Sequence, residues 1–265
     1  MKSAYFADPG INASLLKNIL ASPADFLAAS KADSKDTRST IFGTAVHCYL
    51  LEPYKFAEQY ALQPENWGPR SNGTPGGKKW TEFKKTNKGK ICLGYEEKDL
   101  LCNLISVKLS HQPFMRLMQG NPIIEQPYYY DDLRYGRLKC CPDILTQDKK
   151  FIWDLKTTCK RIDDESLSNT IFFETYHFQA AHYIYVLSKL GFDIQGFGWI
   201  FVSTDTPAVH IVMRTANKQM IEAGKKDHMH ALHLLKNCRE RNNWPGFDTS
   251  IKEIGLPAFA ERIYS

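Results

Sequence analysis

An α/β fold is predicted by the order of segments in the second half of the chain. Short β-type runs lie near 123–130, 134–145 and 150–157, and helical stretches follow between about 164 and 190. Two more strand-like runs, 196–203 and 208–213, then precede a long helix from about 216 to 241. Strands alternating with helices belong to sheets covered by helices. At 265 residues, 43% of them hydrophobic, the chain fits one large domain with an ample core.

The first half reads as helical. Asn12 can cap a helix running from Ala13 towards Ala21, with Leu15, Leu16, Ile19 and Leu20 on its apolar side. A second helical piece starts near Pro23. The next carries Gly43-Thr44-Ala45-Val46-His47, small residues that let a helix approach a neighbour closely, and Pro53 marks its end. Between Gln63 and Gly77, three prolines and four glycines exclude regular structure and predict a mobile loop. Leu100, Leu101, Leu104 and Val107 recur at helical spacing over about 95–118. Asp131-Asp132 is read as a turn.

Net charge is +5, and its placement matters more than its size. The segment 64–90 holds seven cations (Arg70, Lys78, Lys79, Lys84, Lys85, Lys88, Lys90) against two anions, which accounts for the whole excess. With Trp67, Trp80 and Phe83 alongside, this stretch reads as a phosphate-contacting arm or as a solvated lysine-rich loop. No apolar run approaches the roughly 18 residues of a membrane span, and the opening residues lead into no signal-peptide core. A soluble, cytoplasmic protein is expected, with no membrane partner. The seven cysteines form no C-x-x-C pair, so they are expected to be reduced thiols without zinc or redox motifs. His228, His230 and His233 on the late helix lack an acidic partner at ligand spacing. Only His230 and His233 share a face.

The chemistry concentrates in Pro142-Asp143 followed by Asp154-Leu155-Lys156. If Phe151–Lys156 is a strand, its period of two puts Asp154 and Lys156 on one face, with Trp153 and Leu155 on the other. Two carboxylates can hold a hard divalent cation, and a lysine beside them can position or deprotonate a water. A solvated cross-strand pair is the competing account. One crossover later, Gln179 and Tyr183 lie four apart on a helical stretch, facing either DNA or this site. His47 becomes a candidate group at the metal because the carboxylates demand a cation.

Together these motifs resemble the RecE-like exodeoxyribonuclease family of the PD-(D/E)xK superfamily, which also holds phage lambda exonuclease. The resemblance runs from Asp8-Pro9-Gly10-Ile11 and Ser14-Leu15-Leu16, through Gly43–Cys48 and Leu51-Glu52-Pro53, to Cys141-Pro142-Asp143. It continues through Trp153–Thr158 and Tyr176–Gln179 to Trp244-Pro245 and Leu256-Pro257. It implies a PD-(D/E)xK core with a mixed central sheet flanked by helices, spanning 1–265 as a single domain with a basic excursion at about 63–90. By the same resemblance, Asp143, Asp154 and the Leu155 carbonyl bind metal, Lys156 assists the attacking water, and His47 sits at the metal. Glu125 is a looser match to a glutamate near the metals.

The implied activity is Mg²⁺-dependent 5′-to-3′ digestion of double-stranded DNA from its ends, leaving 3′ single-stranded tails, with Mn²⁺ as a substitute ion. A homo-oligomeric ring, with a tetramer as the inherited expectation, and a single-strand annealing protein are the implied partners. No iron–sulfur cluster is expected, because only Cys238 lies late in the chain. Two rivals stay open: a structure-specific or restriction-type endonuclease of the same superfamily, and a non-catalytic DNA-end-binding recombination module.

Overall fold

The computed structural model describes residues 2–32, 37–67, 77–204 and 208–257. The helical first half comprises α1 (Lys2–Ala7), α2 (Ala13–Leu16), α3 (Asn18–Ala21), α4 (Pro23–Lys31), α5 (Arg38–Leu51) and α6 (Pro53–Gln59). After β1 (Tyr60–Leu62) come α7 (Gly77–Thr86), β2 (Ile91–Leu93), α8 (Tyr95–Ser110) and α9 (Gln112–Gln119). The strands β3 (Ile123–Ile124), β4 (Tyr128–Asp132), β5 (Gly136–Cys140), β6 (Ile144–Leu145) and β7 (Phe151–Thr158) follow. The chain then forms α10 (Asp164–Phe173), α11 (Tyr176–Lys189), β8 (Gly196–Ser203), β9 (Ile211–Thr215) and α12 (Lys218–Arg241).

Helix starts follow local chemistry. Side chains of Asn12, Ser22, Thr37, Asp163 and Asn217 each accept a backbone N–H of the first turn of the helix they precede. Pro23 and Pro53 occupy first turns, where a missing N–H costs nothing. The expected helix from Ala13 to Ala21 is interrupted at Lys17, giving α2 and α3. The stretch near 95–118 divides at His111, whose Nδ1 accepts Phe114 N–H to start α9, with Pro113 in its first turn. Asp131-Asp132 is more than a turn. Asp132 is buried at the end of β4, accepts the Arg134 and Tyr135 N–H groups, and takes the Tyr185 hydroxyl of α11 at 3.0 Å.

The main sheet has the order β3-β6-β7-β8-β9. β7 and β8 are parallel and the other pairings antiparallel, so the sheet is mixed, as expected. The α10–α11 crossover supplies the long connection a parallel pair needs. Alternate residues of the central strands serve two apolar layers. Ile152, Phe197, Trp199 and Phe201 join Leu16, Ile19, Phe26, Phe178, Leu232 and Leu235 on one face. Leu155, Ile200 and Val202 join Val46, Leu50, Leu101, Leu104 and Phe114 on the other. A parallel pairing of β1 with β2 brings the two ends of the basic excursion side by side. No helix of the described residues is long and apolar enough to cross a membrane.

One glycine sets the spacing of the layer over the site. A Cβ on Gly224 of α12 would lie 2.1 Å from the His177 carbonyl oxygen of α11. Backbone cannot yield as a flexible side chain can. Gly224→Ala is therefore expected to cost about 1–3 kcal/mol or more through overpacking, read as a lowered urea midpoint. An unchanged midpoint would mean that the two helices separate freely.

Candidate active site

Three strands deliver three carboxylates to one end of the sheet. Ile144 pairs with Trp153, so one further step of that antiparallel register sets Asp143 opposite Asp154. Ile124 pairs with Ile144, so Glu125 emerges beside Asp143, and its N–H donates to the Asp143 carbonyl at 3.1 Å. Glu125 holds a left-handed backbone, φ 50°, which turns the chain out of β3 at this point. The Leu155 N–H donates to Asp143 Oδ2 at 2.7 Å. A strand residue sends its N–H and C=O to the same edge, so the Leu155 carbonyl also leaves on the Asp143 side.

His47 arrives from α5 on the opposite face. A Cβ on Gly43, one turn earlier, would sit only 3.2 Å from Thr157 Oγ1 of β7, so the small residue permits the close approach read from the sequence. His47 Nδ1 lies 3.4 Å from Asp143 Oδ1 and 3.8 Å from Glu125 Oε1. One ligand atom from each of His47, Glu125 and Asp143 falls within 4.8 Å of the others, the arrangement that can hold a cation. Asp154 lies outside that grouping and is turned towards Lys156. The looser sequence match, Glu125, is thus nearer the cluster than one of the two motif aspartates.

Asp154 and Lys156 do share a face of β7, and α11 locks them. Lys156 Nζ stands 2.6 Å from Asp154 Oδ2 and donates to Gln179 Oε1 at 2.9 Å. Gln179 Nε2 donates to Asp154 Oδ1 at 2.7 Å and to the Tyr183 hydroxyl at 3.1 Å. The Gln179–Tyr183 pair therefore faces the carboxylate and lysine. Tyr183 is buried, so its contact is with the site. Asp154 Oδ2 is buried without a hydrogen bond of good geometry, its close ammonium neighbour notwithstanding. Burial favours neutral Asp154 and the Asp143 charge adds to this. Against the Lys156 ammonium, the net effect lifts its pKa to about 6. Burial also disfavours charged Lys156 and charged Asp143. The aspartates nonetheless raise Lys156, while His47, Lys156 and the Leu155 N–H lower Asp143. Burial would likewise depress His47, but Asp143 and Glu125 lift it to about 10.

Sequence reasoning missed Tyr176 as a contact of the lysine. Its ring centroid lies 4.7 Å from Lys156 Nζ, a cation–π contact. The one signal in the sequence is its position three residues before Gln179 at the start of the same helix. Elsewhere, Lys78, Lys79, Lys84 and Lys85 are exposed on α7, while Trp67 and Trp80 each pack against Phe83, with ring centroids 5.6 and 5.4 Å apart. Arg70 and most of the expected loop from Gln63 to Gly77 lie outside the described residues. His228 is buried against His182 at 3.2 Å, whereas His230 and His233 are exposed.

A mixed sheet with an aspartate before β6 and Asp-Leu-Lys on β7, covered by helices on both faces, defines a PD-(D/E)xK-like domain. The chain belongs to the family described as PDDEXK-like domain of unknown function (DUF3799), whose profile matches residues 12–250. The resemblance to the PD-(D/E)xK superfamily is borne out at this level. A crystal structure of a candidate exonuclease from Eubacterium rectale overlays with a TM-score of 0.57 at 11% identity. The match covers 95% of this chain and 92% of that one, and it shows a shared fold. A phage-related exonuclease from Haemophilus somnus 129PT matches at 14% identity over 88% of this chain and 96% of its own. Its TM-score is only 0.37. No curated protein matches the chain.

Proposed function

We propose that the protein is a divalent-metal-dependent exodeoxyribonuclease that digests double-stranded DNA from its 5′ ends and leaves 3′ tails for recombination. The observation that carries this reading is the convergence of Asp143, Asp154 and Lys156 at one sheet edge with Glu125 and His47 beside them. The donors fit a hard cation. Carboxylates of Asp143, Asp154 and Glu125, the Leu155 carbonyl and His47 Nδ1 suit Mg²⁺ or Mn²⁺, and buried Asp154 Oδ2, whose near neighbour is the Lys156 ammonium, is a further donor atom. When bound, the cation supplies Lewis acidity and neutralises charge developing on the scissile phosphate.

The remaining work falls to the chain. Gln179 fixes Lys156 and Asp154 relative to each other, and Tyr176 backs the ammonium. The Lys156 ammonium orients the attacking water and stabilises the negative charge that develops as the water is ionised. The exposed lysines of α7 hold duplex phosphates, and copies of the chain close into a ring that retains the DNA.

Linear duplexes labelled at the 5′ or 3′ end test polarity directly, since early release of 5′ label is expected. Cutting of covalently closed circles would instead establish the endonuclease reading, because an exonuclease requires an end. Two quantitative results are also expected. Because protonated Asp154 cannot hold a cation, apparent Mg²⁺ affinity should fall by a further factor of about ten per pH unit as pH drops below about 6, measured by metal titration. Lys78→Ala with Lys79→Ala should flatten the slope of log binding constant against log salt by roughly 1.8, at about 0.9 for each phosphate that a lysine neutralises. An unchanged slope would leave α7 a solvated helix.

A further inference from the structure

The helix that carries Gln179 begins without a side-chain cap. Thr175 precedes α11 in a left-handed conformation, φ 59°, and its side chain accepts no backbone N–H of the first turn. That turn is pinned instead by His177, which is only 4% exposed. His177 Nδ1 lies 3.3 Å from the Ile171 carbonyl oxygen of α10, and Nε2 lies 3.2 Å from Asp227 Oδ2 of α12. The ring also stacks on Phe172 of α10, with centroids 5.7 Å apart and planes 9° from parallel. Its backbone carbonyl is the group that abuts Gly224 of α12. Each residue turns a helix by about 100°, so His177 points away from the face that Tyr176 and Gln179 share. That shared face lies on β7. There the Tyr176 ring is 4.7 Å from Lys156 Nζ, and Gln179 bonds both Lys156 and Asp154.

We infer that His177, held by Asp227, is a positioning residue of the proposed nuclease site. It sets where α11 presents Gln179, and with it Tyr176, to Asp154 and Lys156. The ring touches α10 and α12, so it acts on the site through the helix and not by contact with the reacting groups. Its two polar contacts are directional and reach two different helices, which fixes the rotation of α11 about its axis as well as its height. Apolar packing alone would leave that rotation softer. Asp227 is 51% exposed, yet its carboxylate is turned onto the ring. Gln179 bridges Asp154 to Lys156, and a shift of about 1 Å in such a group can cost on the order of 10²-fold in rate. The inference rests on the proposed nuclease reading and deepens it. The geometry of the site is then controlled from a half-exposed acid on the outer helix layer.

Asp227→Ala is the leading test, because a half-exposed carboxylate can be removed without opening the core. On the full chain with Mg²⁺, kcat for duplex ends should fall about tenfold while KM stays within about twofold. Asp227→Glu should restore the rate. Glu222→Ala, which removes another exposed acid of α12, should match the wild type. His177→Phe keeps the stack on Phe172 but loses both polar contacts. It should cost about 100-fold in kcat at a temperature where circular dichroism shows the variant folded. Because the effect passes through Gln179, Asp227→Ala should add less than about twofold to Gln179→Leu, whereas independent losses would multiply. Hydrogen exchange read by mass spectrometry needs no catalysis, and peptides spanning 176–183 should exchange faster in Asp227→Ala. A kcat within about twofold of wild type in Asp227→Ala, or full multiplication of the two losses, would overturn the proposal. Faster exchange over 176–183 in a chain that releases no nucleotide in Mg²⁺ would keep the clamp while sinking the nuclease reading.

Discussion

Asp154→Asn and Lys156→Met are each expected to reduce nucleotide release by roughly 10²–10⁴-fold while DNA binding persists. Both side chains are held within the site and not by apolar packing. Lys156 touches Asp154, Gln179 and the Tyr176 ring, and Asp154 touches Lys156 and Gln179. Asparagine keeps the shape and the Gln179 contact but removes the charge that a cation needs. Either variant leaves the other charge of a buried pair stranded, at a cost of about 3–5 kcal/mol, and the near-isosteric choice avoids adding a cavity and a lost Gln179 contact to it. Stability must therefore be measured beside rate. Single-turnover hydrolysis at saturating metal, beside circular dichroism melting, separates the two. A variant within tenfold of wild-type rate would remove that residue from the catalytic set.

The second large effect is expected at His47. His47→Ala should cost about 10- to 100-fold in activity or metal affinity, the usual range for groups at a metal or supporting its ligands. A proton count gives a sharper signature. With its pKa lifted to about 10 by Asp143 and Glu125, His47 is protonated at pH 8, whereas Asp154, near 6, is already ionised. A cation that takes Nδ1 must displace the His47 proton. Metal binding at pH 8 should thus release close to one proton in the wild type and close to none in His47→Ala. Calorimetry in two buffers of different ionisation enthalpy reads this directly. A lowered melting temperature with normal specific activity and unchanged proton release would make His47 a packing residue of α5.

Much of this site is legible in one dimension because strand and helix periods are local. Alternation along 151–156 places Asp154 and Lys156 together, and a four-residue step places Gln179 with Tyr183. A run of small residues signals the close approach of α5, realised where Gly43 meets Thr157. Helix geometry likewise sends His228 and His230 apart, the first buried and the second exposed. Other features have no local signature. The burial of Asp132 depends on a partner distant in sequence, the Tyr185 hydroxyl.

The sequence by itself therefore determined the α/β class, the Asp143–Asp154–Lys156 constellation and the concentration of positive charge in one segment. Those properties follow from residue type and short-range geometry. Tertiary structure decided which carboxylate accompanies His47, that Gln179 bridges Asp154 to Lys156, and that Tyr176 lies against the ammonium. These depend on the registers of β3, β6 and β7 and on α11 crossing their ends, which bring residues 47, 125, 143, 154 and 179 together. Protonation was decided there too, because burial and opposing charge act through space. They raise Asp154 and His47 and lower Asp143, whose side chains at other positions would titrate like any aspartate or histidine.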